Sequence, residues 1–442
     1  MTKTVIPRSN KWQPFYNTSV KAAYHFQLIL VTLDDVDDNI IKACKKNAPA
    51  GRNKVLSLAS HEYCHWLDHV SSLWGREMLF KYFKGLSARE AGKIEDFYWM
   101  VEANKSVNRA TSNQYYFYKG PKSKQGSPWS WTLSIGQRFN SEGEIKFNDP
   151  IPFIRFGKGD PLVDANLVAR MPISAAALAE SRAMMAELLW IKSEIETFGE
   201  KSTPASVEDW LNNYKTKLYK DDYLVYTTSV HLLANQTDTF NLEDCLPFAS
   251  ALSWLCLNFP HLACDKIKIP DVWSKAWINE EKKIDYITPL LENRDPGFLF
   301  SLFCENASKP TDQNIRKWLN QVVKSVTTYD LGEIEDMWND EIEQRSKIMK
   351  QSCDNDQFLC WLEKGKEWSQ KIGITGDISH LIEEINGTNE IGLPPALNID
   401  ESPWTPSPNK AYECNFNSLQ ERVDYMIDKT AKIDEFIEVC GL

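Results

Sequence analysis

Two histidines four residues apart, His61 and His65, constrain the fold of this chain more than any other feature of its sequence. They lie in the largely apolar run LSLASHEYCHWLDHV. Residues four apart share one face of an α-helix, so a helix would bring the two imidazoles together and place Glu62 beside them. Polar groups in apolar surroundings need partners that offset their desolvation. We therefore expect a buried helix whose two histidines converge on a common partner.

A metal ion would be such a partner. His61, Glu62 and His65 form the pattern HExxH, a signature of zinc sites on helices. Zinc lowers the pKa of a bound water to near neutral, and a neighbouring carboxylate can take its proton as the water attacks a polarised carbonyl. The pattern predicts zinc as the cofactor, His61 and His65 as ligands and Glu62 as the catalytic general base. The structural alternative is a pair of core histidines bonded to carbonyl or carboxylate groups.

His69 continues the histidine series on the same helix. Eight residues of helix rise about 12 Å, whereas each ligating nitrogen must lie about 2 Å from the ion. One straight helix therefore cannot supply all three ligands. We expect His69 and Asp68 to lie behind the metal ligands or at the surface, with Asp68 able to hold a ligating imidazole in one tautomer.

The motif resembles that of the zincin superfamily of metallopeptidases. The metzincin branch continues it as HExxHxxGxxH, but Asp68 occupies the glycine position of this pattern and Ser71 the third histidine position. The metzincin branch is therefore excluded, and the chain is similar instead to the gluzincins. That resemblance implies a glutamate from a later helix as the third zinc ligand.

Glu180, in the segment PISAAALAESRAMMAELLW, is the best candidate for that glutamate. Its helical neighbours three and four residues away are three alanines and a methionine, so the carboxylate lies on an apolar stripe that another helix could approach closely. A lone acid there is costly unless it binds a metal or pairs with a charge such as Arg170 or Arg182. Met184 stands where the ExxxD pattern of the gluzincins has an aspartate.

Other residues are candidates for supporting roles. Glu95 and Glu102, on a helix that follows the motif, are the alternative third ligands. Glu187, two turns beyond Glu180, could support a ligand from outside the coordination sphere. His231 could face the developing oxyanion, although a lone histidine on an apolar helix is also typical of a core residue.

The periodicity of the chain predicts an α+β, predominantly helical fold. Residues 1–200 are interpreted as a zincin-like catalytic domain with a small sheet, in which the alternating segment Trp129 to Ile135 could bind a substrate backbone or be an ordinary core strand. Residues 201–386 have helical periods throughout and predict a second, helical domain. An irregular, proline-containing tether follows at 387–415, and a C-terminal helix at 416–442.

Composition excludes several classes of partner. A net charge of −11 disfavours a nucleic-acid partner, since such proteins cluster Lys and Arg. The longest apolar stretch, Leu246 to Pro260, is shorter than the roughly twenty residues of a membrane span. The start of the chain has no apolar secretory segment, and the ten cysteines form no CxxC pair. These features predict a cytoplasmic protein whose thiols are mostly reduced and buried.

The sequence as a whole predicts an intracellular zinc metallopeptidase that acts on a protein or peptide. Hydrolysis of a non-peptide amide or ester would need the same residues. The alternative is a helical interaction or scaffold protein with a structural or vestigial HExxH site, which would bind a protein partner through its helical half. Glu62 argues against this alternative, because a structural zinc site needs no base and is closed by four protein ligands. The build also resembles the phage-exclusion peptidases, which implies a host protein as substrate and a role in phage defence.

Overall fold

The fold is known from a computed structural model of the chain. It describes residues 21–26, 29–46, 49–93, 96, 98–110, 116–117, 129–139, 145–159, 166–199, 205–239, 241–268, 283–353, 356–387, 391–394, 396–399, 403–404 and six single residues between 424 and 439. Helices dominate this part of the chain, and two small sheets accompany them. The predicted fold class, α+β and predominantly helical, is confirmed.

The described helices fall in all parts of the chain. In chain order they are α1 (Asp38–Lys45), α2 (Pro49–Ser71), α3 (Leu73–Glu90), α4 (Tyr98–Ala110), α5 (Ala175–Phe198), α6 (Ala205–Lys217), α7 (Leu224–Gln236), α8 (Leu242–Leu257), α9 (His261–Cys264), α10 (Lys283–Glu292), α11 (Pro296–Glu305), α12 (Ile315–Val326), α13 (Leu331–Ser352), α14 (Asp356–Ile372) and α15 (Ser379–Ile385).

Two four-stranded sheets are present among the described residues. The strands are β1 (Ala23–His25), β2 (Leu30–Leu33), β3 (Tyr116–Phe117), β4 (Trp129–Phe139), β5 (Ile145–Lys158), β6 (Asn166–Pro172), β7 (Ala396–Asn398) and β8 (Pro403–Trp404). The first sheet has the order β1-β2-β7-β8, with β2 and β7 parallel and the other pairs antiparallel. The second sheet has the order β3-β6-β5-β4 and is antiparallel throughout.

Helices α2 and α5 pack against each other at the centre of the fold. The N-cap of helix α5 is Ser174, whose side chain accepts a hydrogen bond from the N–H of Ala177. The first turns of α5 consist mainly of alanine, so neighbouring backbones can approach closely. Besides α2, α5 also contacts α6, α7 and α8. Residues of both halves of the chain therefore surround this one helix.

The HExxH motif lies on α2, and Ser72 separates this helix from α3. The hydroxyl of Ser72 accepts from the N–H of Gly75 at 3.0 Å, and the side-chain oxygen of Asn258 accepts from the N–H of Leu73. A Cβ at Gly75 would lie 2.2 Å from the carbonyl oxygen of His69. The glycine thus permits the tight turn, three residues after the break itself.

Part of the stretch that was predicted to be an irregular tether is regular structure. Residues 387–415 contribute β7 and β8, and β7 extends the first sheet by pairing with β2. Most of 416–442 lies outside the described residues, and its six described residues are helical. One hydrophobic core runs without interruption from the predicted catalytic half into the helical half.

Cysteines and membrane spans were also anticipated from the sequence. Seven described cysteines are free and buried. Cys360 instead forms a disulfide. The sequence could not indicate this bond, since a disulfide requires two cysteines to approach in space, which their spacing along the chain does not reveal. No described helix combines the length and the apolar character that crossing a membrane requires.

Candidate metal centre

His61 and His65 on α2 meet Glu180 on α5 in the interior of the protein. One ligand atom from each residue lies within 4.8 Å of the others. Glu180 Oε2 is 3.2 Å from His61 Nε2 and 3.5 Å from His65 Nε2. Within the described part of the chain, this is the one group of three or more His, Cys, Asp or Glu side chains that could hold a metal ion.

The donor set and its charge suit a divalent cation. Two imidazole nitrogens and one carboxylate oxygen are the three protein ligands found at many catalytic zinc sites, where a fourth position stays open for water. Burial alone would raise the pKa of Glu180, but His65 and His61 lower it to about 2, so its carboxylate is ionised. These three residues therefore fit a bound metal ion of the zinc type.

Glu187 supports His61 from the side opposite to Glu180. Its Oε1 lies 2.7 Å from His61 Nδ1. A proton on Nδ1 would be donated to this carboxylate, which leaves the lone pair of Nε2 directed at the ligand group. Burial alone would lower the pKa of His61, but its hydrogen bonds to Glu180 and Glu187 raise it well above the ordinary value.

Glu62 lies between the ligand group and the first sheet. Burial raises the pKa of this carboxyl, whereas the neighbouring His61 and His65 lower it. The backbone N–H of Tyr24, on strand β1, donates a hydrogen bond to it. The acid that the motif assigns to base catalysis is thus adjacent both to the ligand group and to a strand at the end of a sheet.

His69 is neither a ligand nor a surface residue. It is fully buried, and its Nδ1 lies 2.8 Å from the hydroxyl of Tyr24. Burial lowers the pKa of His69 to about 3, so the imidazole is neutral. Its Nδ1 can therefore accept a hydrogen bond from the Tyr24 hydroxyl. His69 therefore fastens β1 to α2, a role that depends on a residue 45 positions earlier in the chain.

Asp68, which was expected to hold a ligating imidazole, pairs with a cation. Its Oδ1 accepts from Nε of Arg182 at 2.7 Å, and both side chains are fully buried. Arg182 was considered as a partner for Glu180, together with Arg170. The guanidinium of Arg170 instead lies 3.9 Å from the centre of the Phe153 ring, so the two histidines are the neighbours of Glu180.

His231 faces the second sheet instead of the ligand group. Its ring packs against Trp129 and Phe156, with centroid distances of 5.9 and 5.5 Å. Burial lowers the pKa of His231 to about 4, and a backbone hydrogen bond with Leu218 opposes this shift. His231 is therefore a core residue, the alternative to a position facing the oxyanion. The contact with Trp129 also places strand β4 beside His231.

The alternative third ligands have different positions. Glu95 lies outside the described residues. Glu102 is partly exposed on α4 and pairs with Lys105 at 2.8 Å. Of the described candidates, Glu180 is therefore the carboxylate that meets the two histidines.

Tyr226 on α7 is a site residue that sequence reasoning missed. Its ring centroid lies 6.1 Å from that of His61, in an edge-to-face arrangement. Tyr226 is partly exposed, unlike the buried residues on either side of it. A tyrosine on an apolar helix looks like any core aromatic in sequence, so only the approach of α7 to α2 distinguishes it.

Together, the fold and this group define a mainly helical α+β protein with a buried His-His-Glu site that could hold a metal ion. The chain matches no family model, no curated protein and no solved structure. The site is therefore interpreted from its own geometry and chemistry.

Proposed function

We propose that this protein is a zinc-dependent hydrolase that cleaves peptide bonds, with a zincin-like catalytic centre on α2 and α5. The observation that carries the proposal is the meeting of His61, His65 and Glu180, with Glu62 beside them on the same helix. A structural zinc site would have no use for this fourth group, an acid that is not a ligand, and would normally have four protein ligands.

Each residue near the site would have a different role in hydrolysis. A bound zinc ion would acidify a water molecule and polarise the carbonyl under attack. Glu62 takes the proton of the attacking water and passes it to the departing amine. Glu187 orients the imidazole of His61 through the 2.7 Å contact. The hydroxyl of Tyr226 is the candidate donor to the developing oxyanion, since its ring borders His61.

A peptide substrate is supported by the position of β1. This strand lies at one end of the first sheet among the described residues, and the N–H of Tyr24 bonds to Glu62. An extended peptide can add to such a strand by backbone hydrogen bonds, which would lead its scissile bond past the base. Strand β4, which the sequence suggested for this role, packs instead beside His231.

A hydrolysis assay with matched glutamate variants tests the proposal. Protein stripped with a chelator and reloaded with zinc is incubated with unfolded casein and a mixture of internally quenched peptides. We expect turnover by the wild type and by Glu102→Gln, a control that removes a partly exposed carboxylate on α4. Glu62→Gln should lose at least about 100-fold of the rate while keeping its metal. Absence of cleavage by the zinc-loaded wild type, or equal rates in Glu62→Gln, would refute peptidase activity.

A further inference from the structure

Two ion pairs link α2 to α5, one on each side of the metal-ligand group. Near the start of α2, Arg52 binds Glu194 close to the end of α5. Near the end of α2, Asp68 binds Arg182 close to the start of α5. The two helices are therefore antiparallel, and the charges are reversed between the pairs: α2 supplies the cation in the first and the anion in the second.

The Asp68–Arg182 pair is the more deeply buried of the two. Both side chains are fully inaccessible, and Asp68 Oδ1 lies 2.7 Å from Arg182 Nε. The guanidinium also donates to the carbonyls of Ser250 and Gly376, at 3.4 and 3.3 Å. It stacks over the ring of Trp254 at 4.5 Å. Arg182 thus joins α2, α5, α8 and the turn after α14.

Stability alone does not account for such a pair. Removing two charges from water is expensive, and apolar residues of similar volume can often replace a buried ion pair without loss of stability. What an ion pair adds is a strict demand on geometry. Asp68 is one turn beyond His65, and Arg182 is two residues beyond Glu180. If α5 slipped along α2 by one turn, about 5.4 Å, the two buried charges would separate.

We propose that Asp68 and Arg182 are positioning residues, which fix the register between α2 and α5 and thereby hold Glu180 opposite His61 and His65. This proposal rests on the proposed function, because the helix register matters for activity only if His61, His65 and Glu180 hold a metal ion. In this proposal Asp68 restrains the register of α2 and α5 through its ion pair with Arg182.

The experiment compares the apolar double variant Asp68→Leu/Arg182→Met with the wild type. The control is Arg76→Met, since Arg76 is likewise buried and donates to Ser346 and to the carbonyl of Leu362, but lies on α3. Zinc affinity is measured by competition with a chromogenic chelator. The visible spectrum of the cobalt-loaded protein reports the coordination geometry, and thermal unfolding of the metal-free protein reports stability.

A metal-independent readout measures the register itself. Spin labels at Lys54→Cys on α2, a partly exposed position, and at Lys192→Cys on α5, an exposed one, give the distance between the helices by pulsed electron resonance. The seven described free cysteines are buried, which limits unwanted labelling. A slip of one turn changes the relative position of the labels by about 5 Å.

In the double variant we expect zinc affinity to fall by about 10- to 100-fold, as for other groups that orient ligands. The cobalt spectrum should change, and the distance distribution should broaden or shift, while thermal unfolding stays near that of the wild type. Arg76→Met should leave the zinc affinity, the cobalt spectrum and the distance unchanged. An unchanged zinc affinity and distance in the double variant would overturn the proposal, whatever happens to stability.

The two proposals can fail separately. If the wild type binds no zinc, the metal site fails, and the spin-label distance still decides whether the pair sets the register. If Asp68→Leu/Arg182→Met does not fold, the neutral pair Asp68→Asn/Arg182→Gln is measured in its place. It keeps the shape of Asp68, replaces the guanidinium of Arg182 by a shorter polar amide and removes both charges, and the same loss of affinity and broadened distance are expected.

Discussion

The carboxylate of Glu187 determines which ring nitrogen of His61 is directed at Glu180. This carboxylate lies 2.7 Å from Nδ1, which leaves Nε2 for Glu180 and a metal ion. Carboxylates in this position keep a ligating imidazole in one tautomer and one orientation. Glu187 lies two turns beyond Glu180 on α5, so the same helix supplies one member of the His61, His65 and Glu180 group and a hydrogen-bond partner of another.

Replacement of Glu187 by glutamine should weaken metal binding without unfolding the protein. The amide keeps the shape of the side chain but loses the charge that favours a proton on Nδ1. We expect zinc affinity to fall by about 10- to 100-fold in chelator competition. Glu196→Gln, an exposed carboxylate on the same helix, is the control. Equal affinities of the two variants would show that Glu187 does not orient His61.

Tyr24→Phe tests the role of His69. The variant removes the hydroxyl that lies 2.8 Å from the buried, neutral imidazole. Loss of a hydrogen bond to a buried acceptor costs about 1–3 kcal/mol, so the free energy of unfolding in urea should fall by that amount. In Tyr24→Phe/His69→Leu the two losses should not add, because they remove the same interaction. Full additivity in this cycle would contradict the interaction.

The sequence could indicate the site residues that lie close together along the chain. His61, Glu62 and His65 lie within five residues on one helix, so the helical period alone brings them together. Glu180 could be chosen because a lone acid among alanines needs a partner. The partners of Asp68 and His69 could not be chosen, since Arg182 and Tyr24 are 114 and 45 residues away and reach them only in the folded chain.

At the scale of helices and strands, the end of α2 is held by a close crossing with α14. A Cβ at Gly365 would lie 1.8 Å from the carbonyl oxygen of Val70. One turn later, the hydroxyl of Ser369 donates to the carbonyl of Ser71 at 2.6 Å. The glycine lets the two backbones touch directly beyond the metal-ligating turns, so α14 restrains the helix that carries the motif.

Gly365→Ala should therefore destabilise the protein. The added methyl group must push α14 away from α2, and forced overpacking of this kind costs about 1–3 kcal/mol. Gly332→Ala is the matched control inside a helix, because its Cβ would meet only Asp330 Oδ1, at 3.3 Å. Urea unfolding of both variants measures the difference. A loss of stability at Gly365 no larger than at Gly332 would contradict the crossing.

Helices were easier to predict than strands in this chain. The period of the apolar residues indicated the helices α5, α7 and α8 directly. The short strands β7 and β8 went unrecognised in a proline-containing stretch, because β7 pairs with β2, about 360 residues earlier. A strand of three residues has too few side chains to show an alternating pattern. Strand β7 is recognised by its backbone pairing with β2.

For the whole molecule, a cluster of charges around Glu77 connects distant parts of the chain. The carboxylate of Glu77 lies 3.0 Å from Lys81, 3.1 Å from Arg294 and 2.8 Å from Arg345. Arg294 and Arg345 also bind Glu341 on α13. Burial alone would raise the pKa of Glu77, but its three basic neighbours lower it to about 2.

This cluster gives a testable dependence of stability on pH. Because the pKa of Glu77 is lower in the folded state than its ordinary value of 4.5, its contribution is present above about pH 4.5 and disappears as the pH falls towards 2. After allowance for its partial exposure, we expect Glu77→Gln to be less stable by about 1–2 kcal/mol at pH 7. The difference from wild type should shrink on acidification. A constant difference from pH 7 to pH 2.5 would contradict this assignment.

The halves expected from the sequence share one core around α5. Residues of the first 200 positions provide the group that could hold a metal ion, while α7 and α8 from the later half cover α5, and Arg182 binds the carbonyl of Ser250. The helical half therefore contributes directly to the surroundings of the site. Sequence patterns predicted the type of each half, but the contact between halves depends on tertiary packing that periodicity does not encode.

We propose that His61, His65 and Glu180 hold a catalytic metal ion, and elemental mass spectrometry can measure whether they do. Protein purified without chelators, and the same protein reconstituted with zinc, is compared with His65→Ala, Glu180→Gln and Glu62→Gln. We expect about one zinc ion per chain in the wild type and in Glu62→Gln, and loss of zinc in the other two variants. No zinc in any preparation, or zinc retained in both His65→Ala and Glu180→Gln, would contradict the account.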